Sequence, residues 1–182
     1  MKIVEVKIYS FNELSMEAQQ KVIKNLYDIN VYDDTWHECI LEEFTAQLNE
    51  KGFLDAEIFF SGFWSQGDGL CFDAKIDVEK FTNKRLSYVI ENYSNIYISK
   101  TNNSNLYSHE KTRYIDYEPT GRKNIDTAIE KLANEIESER LSICKDFYRQ
   151  LEKAYEDLCS EESIIETIEA NNYEFTEAGN RY

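Results

Sequence analysis

The chain holds a single proline, six glycines, two histidines and four cysteines in 182 residues. So few chain breakers, beside 14% aromatic residues, argue against disorder and against a many-turned sandwich or barrel. A compact chain with few long loops is expected. Cys39, Cys71, Cys144 and Cys159 are scattered and form no paired ligand motif, so they are expected as reduced thiols packed as small apolar groups, with no metal site and no cofactor. His37-Glu38-Cys39 adds little, because alternate residues of a helix do not share a face. No apolar run approaches the roughly 20 residues that cross a bilayer. The start, Met1-Lys2-Ile3-Val4-Glu5-Val6, lacks the extended apolar core of a signal peptide, and a cytoplasmic protein is expected. Basic residues are also scarce, 20 Lys and Arg against 35 Asp and Glu, for a formal net charge of −15. That balance opposes functions resting on broad attraction to phosphate backbones or anionic lipids, so neither broad nucleic-acid binding nor membrane binding is expected.

What is present begins with length: 182 residues suit one ordinary domain, spanning 1–182, with enough chain to bury a core without disulfides. The acidity is uneven. Ala154 to Tyr182 holds eight acids and one arginine, whereas Lys100 to Lys123 holds five basic residues and three acids. Such asymmetry marks either an acidic surface that meets a basic partner or a solvated helix that aids solubility.

Three of the six glycines and one of the two tryptophans fall in Phe60-Ser61-Gly62-Phe63-Trp64-Ser65-Gln66-Gly67-Asp68-Gly69. Glycine reaches backbone angles that other residues resist, and Asp68-Gly69 reads as the tight-turn dipeptide. The segment is either a hairpin connection whose aromatics fill the core or a recognition loop. In the second reading Trp64 is a flat contact surface and Ser61, Ser65, Gln66 and Asp68 supply hydrogen bonds. It has no basic residue and no Gly-Lys-Ser/Thr run, which opposes a phosphate-cradling loop.

Around this loop the pattern predicts a strand through Val4, Val6 and Ile8, then a helix from about Met16 to Tyr27 capped by Ser15. A second helix starts at Asp33 or Asp34 with Trp36, Ile40, Phe44 and Leu48 as its buried stripe. Strands Leu54 to Gly62 and Leu70 to Val78 bracket the loop, each with one alternating face: Leu54, Ala56, Ile58 and Phe60 in the first, Phe72, Ala74, Ile76 and Val78 in the second. A short helical segment near Lys84 to Asn92 follows, then strands Asn95 to Lys100 and Leu106 to Glu118 joined through Thr101 to Asn105. Pro119-Thr120-Gly121 closes the sheet portion. Ile125, Ile129, Leu132, Ile136, Ile143, Phe147, Leu151, Ala154 and Leu158 describe one long helix, its stripe buried in the domain or paired as a coiled coil. Ser160, with Glu161 and Glu162, caps a last helix to about Ala170.

No catalytic set emerges: a nucleophilic triad has only His37 and His109 to draw on, and with 35 acids a carboxylate pair such as Asp68 and Asp73 is not diagnostic. The calcium-loop pattern is absent, although Asp68, Asp73 and Asp77 lie close in sequence. Strand alternation would put Tyr107, His109, Lys111 and Arg113 on one face, either a solvated edge or an anion site.

The glycine-rich segment followed by Cys71-Phe72, the closing block Glu161 to Glu177 and the opening Glu13-Leu14-Ser15-Met16-Glu17-Ala18 resemble, over nearly the whole chain, a family of small, mostly uncharacterised bacteriophage and prophage proteins. Some members are labelled as antitoxins of a toxin–antitoxin stability system. The resemblance implies a phage setting and a host-cell cytoplasm, and it brings no active site. Together these features predict an α+β domain, a mainly antiparallel sheet of four or five strands packed against N-terminal helices and one long C-terminal helix. The leading functional expectation is a non-enzymatic phage accessory protein that binds and inhibits a host protein, in the first instance a nucleic-acid-binding effector of bacterial defence. Its expected surfaces are the glycine-rich loop and the acidic residues Glu161, Glu162, Glu166 and Glu169. The alternatives are a module for a small polar ligand such as a signalling nucleotide, seated between the loop and His109 with Lys111 or Arg113 neutralising phosphate, and an antitoxin-like partner of a toxin. Monomer and dimer are both open.

Overall fold

The computed structural model describes residues 5–85, 95–100 and 108–182. The fold is α+β, and the residues group into two compact units: a terminal unit of Met1–His37 with Lys153–Tyr182, and a central unit of Glu38–Glu152.

The central unit holds a four-stranded antiparallel sheet in the order β2-β3-β4-β5, formed by Phe53–Ser61, Gly69–Ile76, Ile96–Lys100 and Arg113–Tyr117. Helix α2 (Glu38–Glu50) precedes β2, α3 (Val78–Phe81) follows β3, and the long helix α4 (Lys123–Leu158) follows β5. Val78 thus starts a helix rather than ending a strand, because the Asp77 carboxylate caps it by accepting from the Lys80 N–H at 2.9 Å. The alternation expected in β2 is broken by a bulge. Leu54 pairs with Lys75 and Glu57 with Asp73, so β2 carries one extra residue, and Asp55 sits there at φ 52°. The bulge changes the phase, and Phe53, fully buried opposite Ile76, takes the core position predicted for Leu54.

Phe44 and Leu48 of α2 are buried as their spacing predicts, and Phe44 stacks on Phe147 of α4 with centroids 4.0 Å apart. The stripe of α4 is buried through Ile129, Leu132, Ile136, Ile143, Phe147 and Leu151. The seven-residue step from Ile136 to Ile143 is filled by Arg140, a fully buried cation. Its guanidinium donates to both oxygens of Glu137, at 2.8 and 2.6 Å, and to the Glu110 carbonyl at 2.8 Å. Most of the segment expected as a helix near Lys84 to Asn92, and the connection Thr101 to Asn105, lie outside the described residues.

The terminal unit is built from both ends of the chain. Strand β1 (Ile8–Ser10) pairs antiparallel with β6 (Glu174–Thr176). The predicted opening strand is therefore shorter and later than expected, with Val4 outside the described residues, and its partner is the late strand β6. Phe11, Leu14, Ala18 and Val22, on and just before helix α1 (Met16–Asn25), share a core with Ile164 and Ile168 of helix α5 (Glu161–Ala170) and with Phe175. Ser15 and Ser160 cap α1 and α5 as the sequence predicts, accepting from the Ala18 and Ser163 N–H groups. Trp36 lies in a 3-10 turn ahead of α2 and meets Tyr155 edge-on, centroids 5.4 Å apart, rather than extending the α2 stripe. Asn30 ties the unit together: its amide nitrogen donates to the Leu158 carbonyl at 2.9 Å, and its amide oxygen accepts from Thr167 Oγ1 at 2.7 Å. Gly179, at φ 71°, admits no side chain, since a methyl carbon there would lie 2.8 Å from the Ala18 carbonyl oxygen.

Candidate functional site

The glycine-rich loop joins β2 to β3, with Ser61 and Gly69 as its closing pair. Its turn is Ser65–Asp68, not the predicted Asp68-Gly69. The Asp68 N–H donates to the Ser65 carbonyl at 3.1 Å, and Gly67 takes φ 96°, the left-handed value a type II turn demands at its third residue. Gly69 begins β3. The Asp68 side chain closes the turn a second time, Oδ2 accepting from the Ser65 N–H at 2.7 Å. Room for that carboxylate exists because Gly62 has no side chain: a methyl carbon there would be 2.7 Å from Asp68 Oδ2.

Aromatic packing fixes the other limb of the loop. Phe63 contacts Phe60, Trp64 and Tyr148 of α4 with centroids 6.1, 5.6 and 5.6 Å apart. The Tyr148 hydroxyl donates to the Gly62 carbonyl at 3.0 Å. Its pKa is raised first by desolvation and then by the carboxylates of Asp68 and Glu152. Phe63 thus takes the role of anchor, while Trp64 is 69% exposed beside exposed Ser65 and Gln66. Among the described residues the buried Ser61 hydroxyl oxygen has no hydrogen-bond partner.

His109 stands against the base of the loop, its Cα 3.1 Å from where a Gly69 side chain would begin. The predicted alternation through His109 and Lys111 fails, because Glu110–Thr112 form a 3-10 turn that His109 caps. His109 Nδ1 accepts from the Lys111 N–H at 3.2 Å and lies 3.1 Å from Glu110 Oε2. Tyr107 lies outside the described residues. Arg113 is 6% exposed, donates from Nε to the Asp73 carboxylate, and lays its guanidinium over the Phe59 ring at 5.0 Å. Its charge is already matched inside the fold.

Ser61, Trp64, Ser65, Gln66, Asp68 and His109 therefore gather at one end of the β2–β3 hairpin, and Arg113 is committed to Asp73. Glu161, Glu162, Glu166 and Glu169 are exposed on α5 in the terminal unit, whereas the loop belongs to the central unit. Glu169 accepts from the Asn12 side-chain amide at 2.7 Å. Tyr148 is the contributor that sequence reasoning missed, because its position one residue beyond buried Phe147 reads as an ordinary helix flank.

All four cysteines are free. Burial pushes the Cys71 thiol up and the Cys144 thiol up to about 12, so neither is a reactive thiolate at neutral pH. Among the described residues no group of three His, Cys, Asp or Glu side chains is placed to hold a metal ion, and no helix is long and apolar enough to cross a membrane.

No curated protein and no solved structure matches the chain. Residues 36–161 match the family model described as Domain of unknown function (DUF8835), a span that takes in the glycine-rich loop, the whole sheet and all of α4 but only the first residue of α5. On that match over more than half of its length, the chain belongs to the DUF8835 family.

Proposed function

We propose that this protein works by binding rather than by catalysis, using the glycine-rich loop to engage and inhibit a host protein in the cytoplasm of a bacterial host. The observation that carries the reading is the contrast within the loop. The backbone is held from inside by Asp68, Tyr148 and Phe63, while Trp64 stands 69% exposed at its tip. A large aromatic group on an ordered support loses little conformational freedom on binding, and tryptophan is enriched among residues that dominate interface energies. The resemblance to phage proteins supplies the host setting, with a nucleic-acid-binding defence effector as the class of target. The exposed carboxylates of α5 supply a second, electrostatic contact to a basic surface. A phosphate-bearing small ligand draws less support, since the Arg113 guanidinium is engaged by Asp73.

The test is capture from a bacterial host extract, followed by affinity measurement with the captured partner. Trp64→Ala with Gln66→Ala is expected to keep the melting temperature within about 3 °C and to weaken the partner at least about tenfold, roughly 1.4 kcal/mol. Normal partner affinity in a folded double variant would remove the loop from the interface.

A further inference from the structure

The terminal unit contains an open cleft of about 490 Å³, formed by β1, the 3-10 turn after it, the end of α5 and the turn into β6. Ile8, Phe11 and Tyr173 give it apolar and aromatic walls, and Glu13, Glu169 and Glu174 give it three carboxylates. Among the described residues that line it there is no lysine or arginine. Glu13 is kept ionised by the Ser10 N–H and hydroxyl, which donate to Oε2 at 2.8 and 2.9 Å and hold the carboxyl below its usual value.

One further feature indicates what such a cleft receives. It is a strand edge that is open among the described residues. The Glu174 carbonyl and the Thr176 N–H are taken by Tyr182 and Asn180 on the far side of β6, so the pairing of β6 with β1 runs through Phe175 and Tyr9. Ile8 and Ser10 consequently direct their main-chain groups to the other edge of β1. There the Ser10 N–H goes to Glu13, and the Ile8 side chain is 42% exposed.

We infer that this cleft binds an extended segment of a protein partner that carries arginine or lysine. The segment adds along the open edge of β1 by main-chain hydrogen bonding, and its cationic group sits among Glu13, Glu169 and Glu174. The apolar stem of that side chain lies against Ile8 and Phe11. This site lies apart in sequence from the glycine-rich loop and stands whether or not the loop is an interface.

The probe is a dye-labelled Gly-Ile-Arg-Ile-Arg-Gly peptide, titrated with the full chain at low ionic strength and followed by fluorescence anisotropy. A second peptide with citrulline at both arginines keeps the shape and removes the charge. The citrulline peptide and the Glu169→Gln, Glu174→Gln variant are each expected to weaken binding at least about tenfold. Glu17→Gln with Glu156→Gln, which removes the same charge elsewhere in the unit, is expected to cost less than about threefold. Trp64→Ala with Gln66→Ala is expected to bind the peptide like the parent chain, which separates this test from that of the loop. Equal losses from the two glutamate pairs, equal binding of the citrulline peptide, or no binding of the arginine peptide at millimolar concentration would each overturn the inference.

Discussion

The two units solve the same packing problem from opposite kinds of sequence. The central unit is a continuous stretch whose hairpin and flanking helices meet near neighbours, and its hardest placement is a buried arginine. The terminal unit joins residues from the two ends of the chain, around a core of seven buried side chains held by caps, an asparagine and a glycine that tolerates no substituent. The comparison teaches that stability in the first depends on satisfying buried charge, at Arg140 and Arg113, and in the second on several small backbone fittings.

The sharpest way to break that contrast is Arg140→Ala. Glu137 and the Glu110 carbonyl lose their donor and a buried volume empties, so a loss of about 3 kcal/mol is expected in chemical denaturation. Amide exchange should rise first in the central unit. Gly179→Ala comes next, at about 2 kcal/mol, from a left-handed backbone combined with contact against Ala18. Its exchange signature should fall on the terminal unit. If both variants loosen both units equally, the division is geometric and not energetic.

Smaller changes sharpen it. Tyr148→Phe removes the bond to the Gly62 carbonyl and should cost about 1 kcal/mol, with faster exchange confined to the glycine-rich loop. At the low end is Ser10→Ala, which removes the Ser10 hydroxyl from the Glu13 carboxylate. The Ser10 N–H and hydroxyl both favour the charged form, so the folded pKa is depressed below 4.5. The stabilisation this represents is complete above that ordinary value and is lost as the pH falls through the folded one. Carboxyl NMR titration should show Glu13 moving partway back up in Ser10→Ala; an unmoved titration would assign the depression to the main-chain donor alone.

Much of the fold was legible because its elements are local. The α4 stripe, the β2–β3 hairpin and the Ser15 and Ser160 caps are set by periodicity and by residues adjacent in sequence. The bulge at Asp55 was not, since nothing in Leu54-Asp55-Ala56 marks an extra residue except the register of its partner strand. Arg140 was hidden as well: at a stripe position it reads as a gap, and only its distant acceptor at Glu110 explains its burial. Within the loop, composition pointed to the hairpin connection but to the wrong turn, because Asp68-Gly69 has turn chemistry in isolation while Gly62 and Tyr148 decide where the chain bends. The strand reading that seated a ligand between the loop and His109 missed the 3-10 turn that His109 caps against Gly69, and in making Arg113 a free cation it missed Asp73 across the sheet.

The pairing of Tyr9 with Phe175 spans nearly the whole chain, and that sets an order of events during synthesis. Closing so long a loop carries an entropic penalty that local hairpins do not face, and β6 leaves the ribosome only after α4 and α5. The central unit is free to form cotranslationally, whereas β1 waits without its partner until Glu174–Thr176 have emerged. A nascent chain extended past α4 but not yet through Phe175 would therefore display the glycine-rich loop on a formed hairpin and leave the terminal cleft unbuilt, which makes the emergence of β6 the timer for that surface.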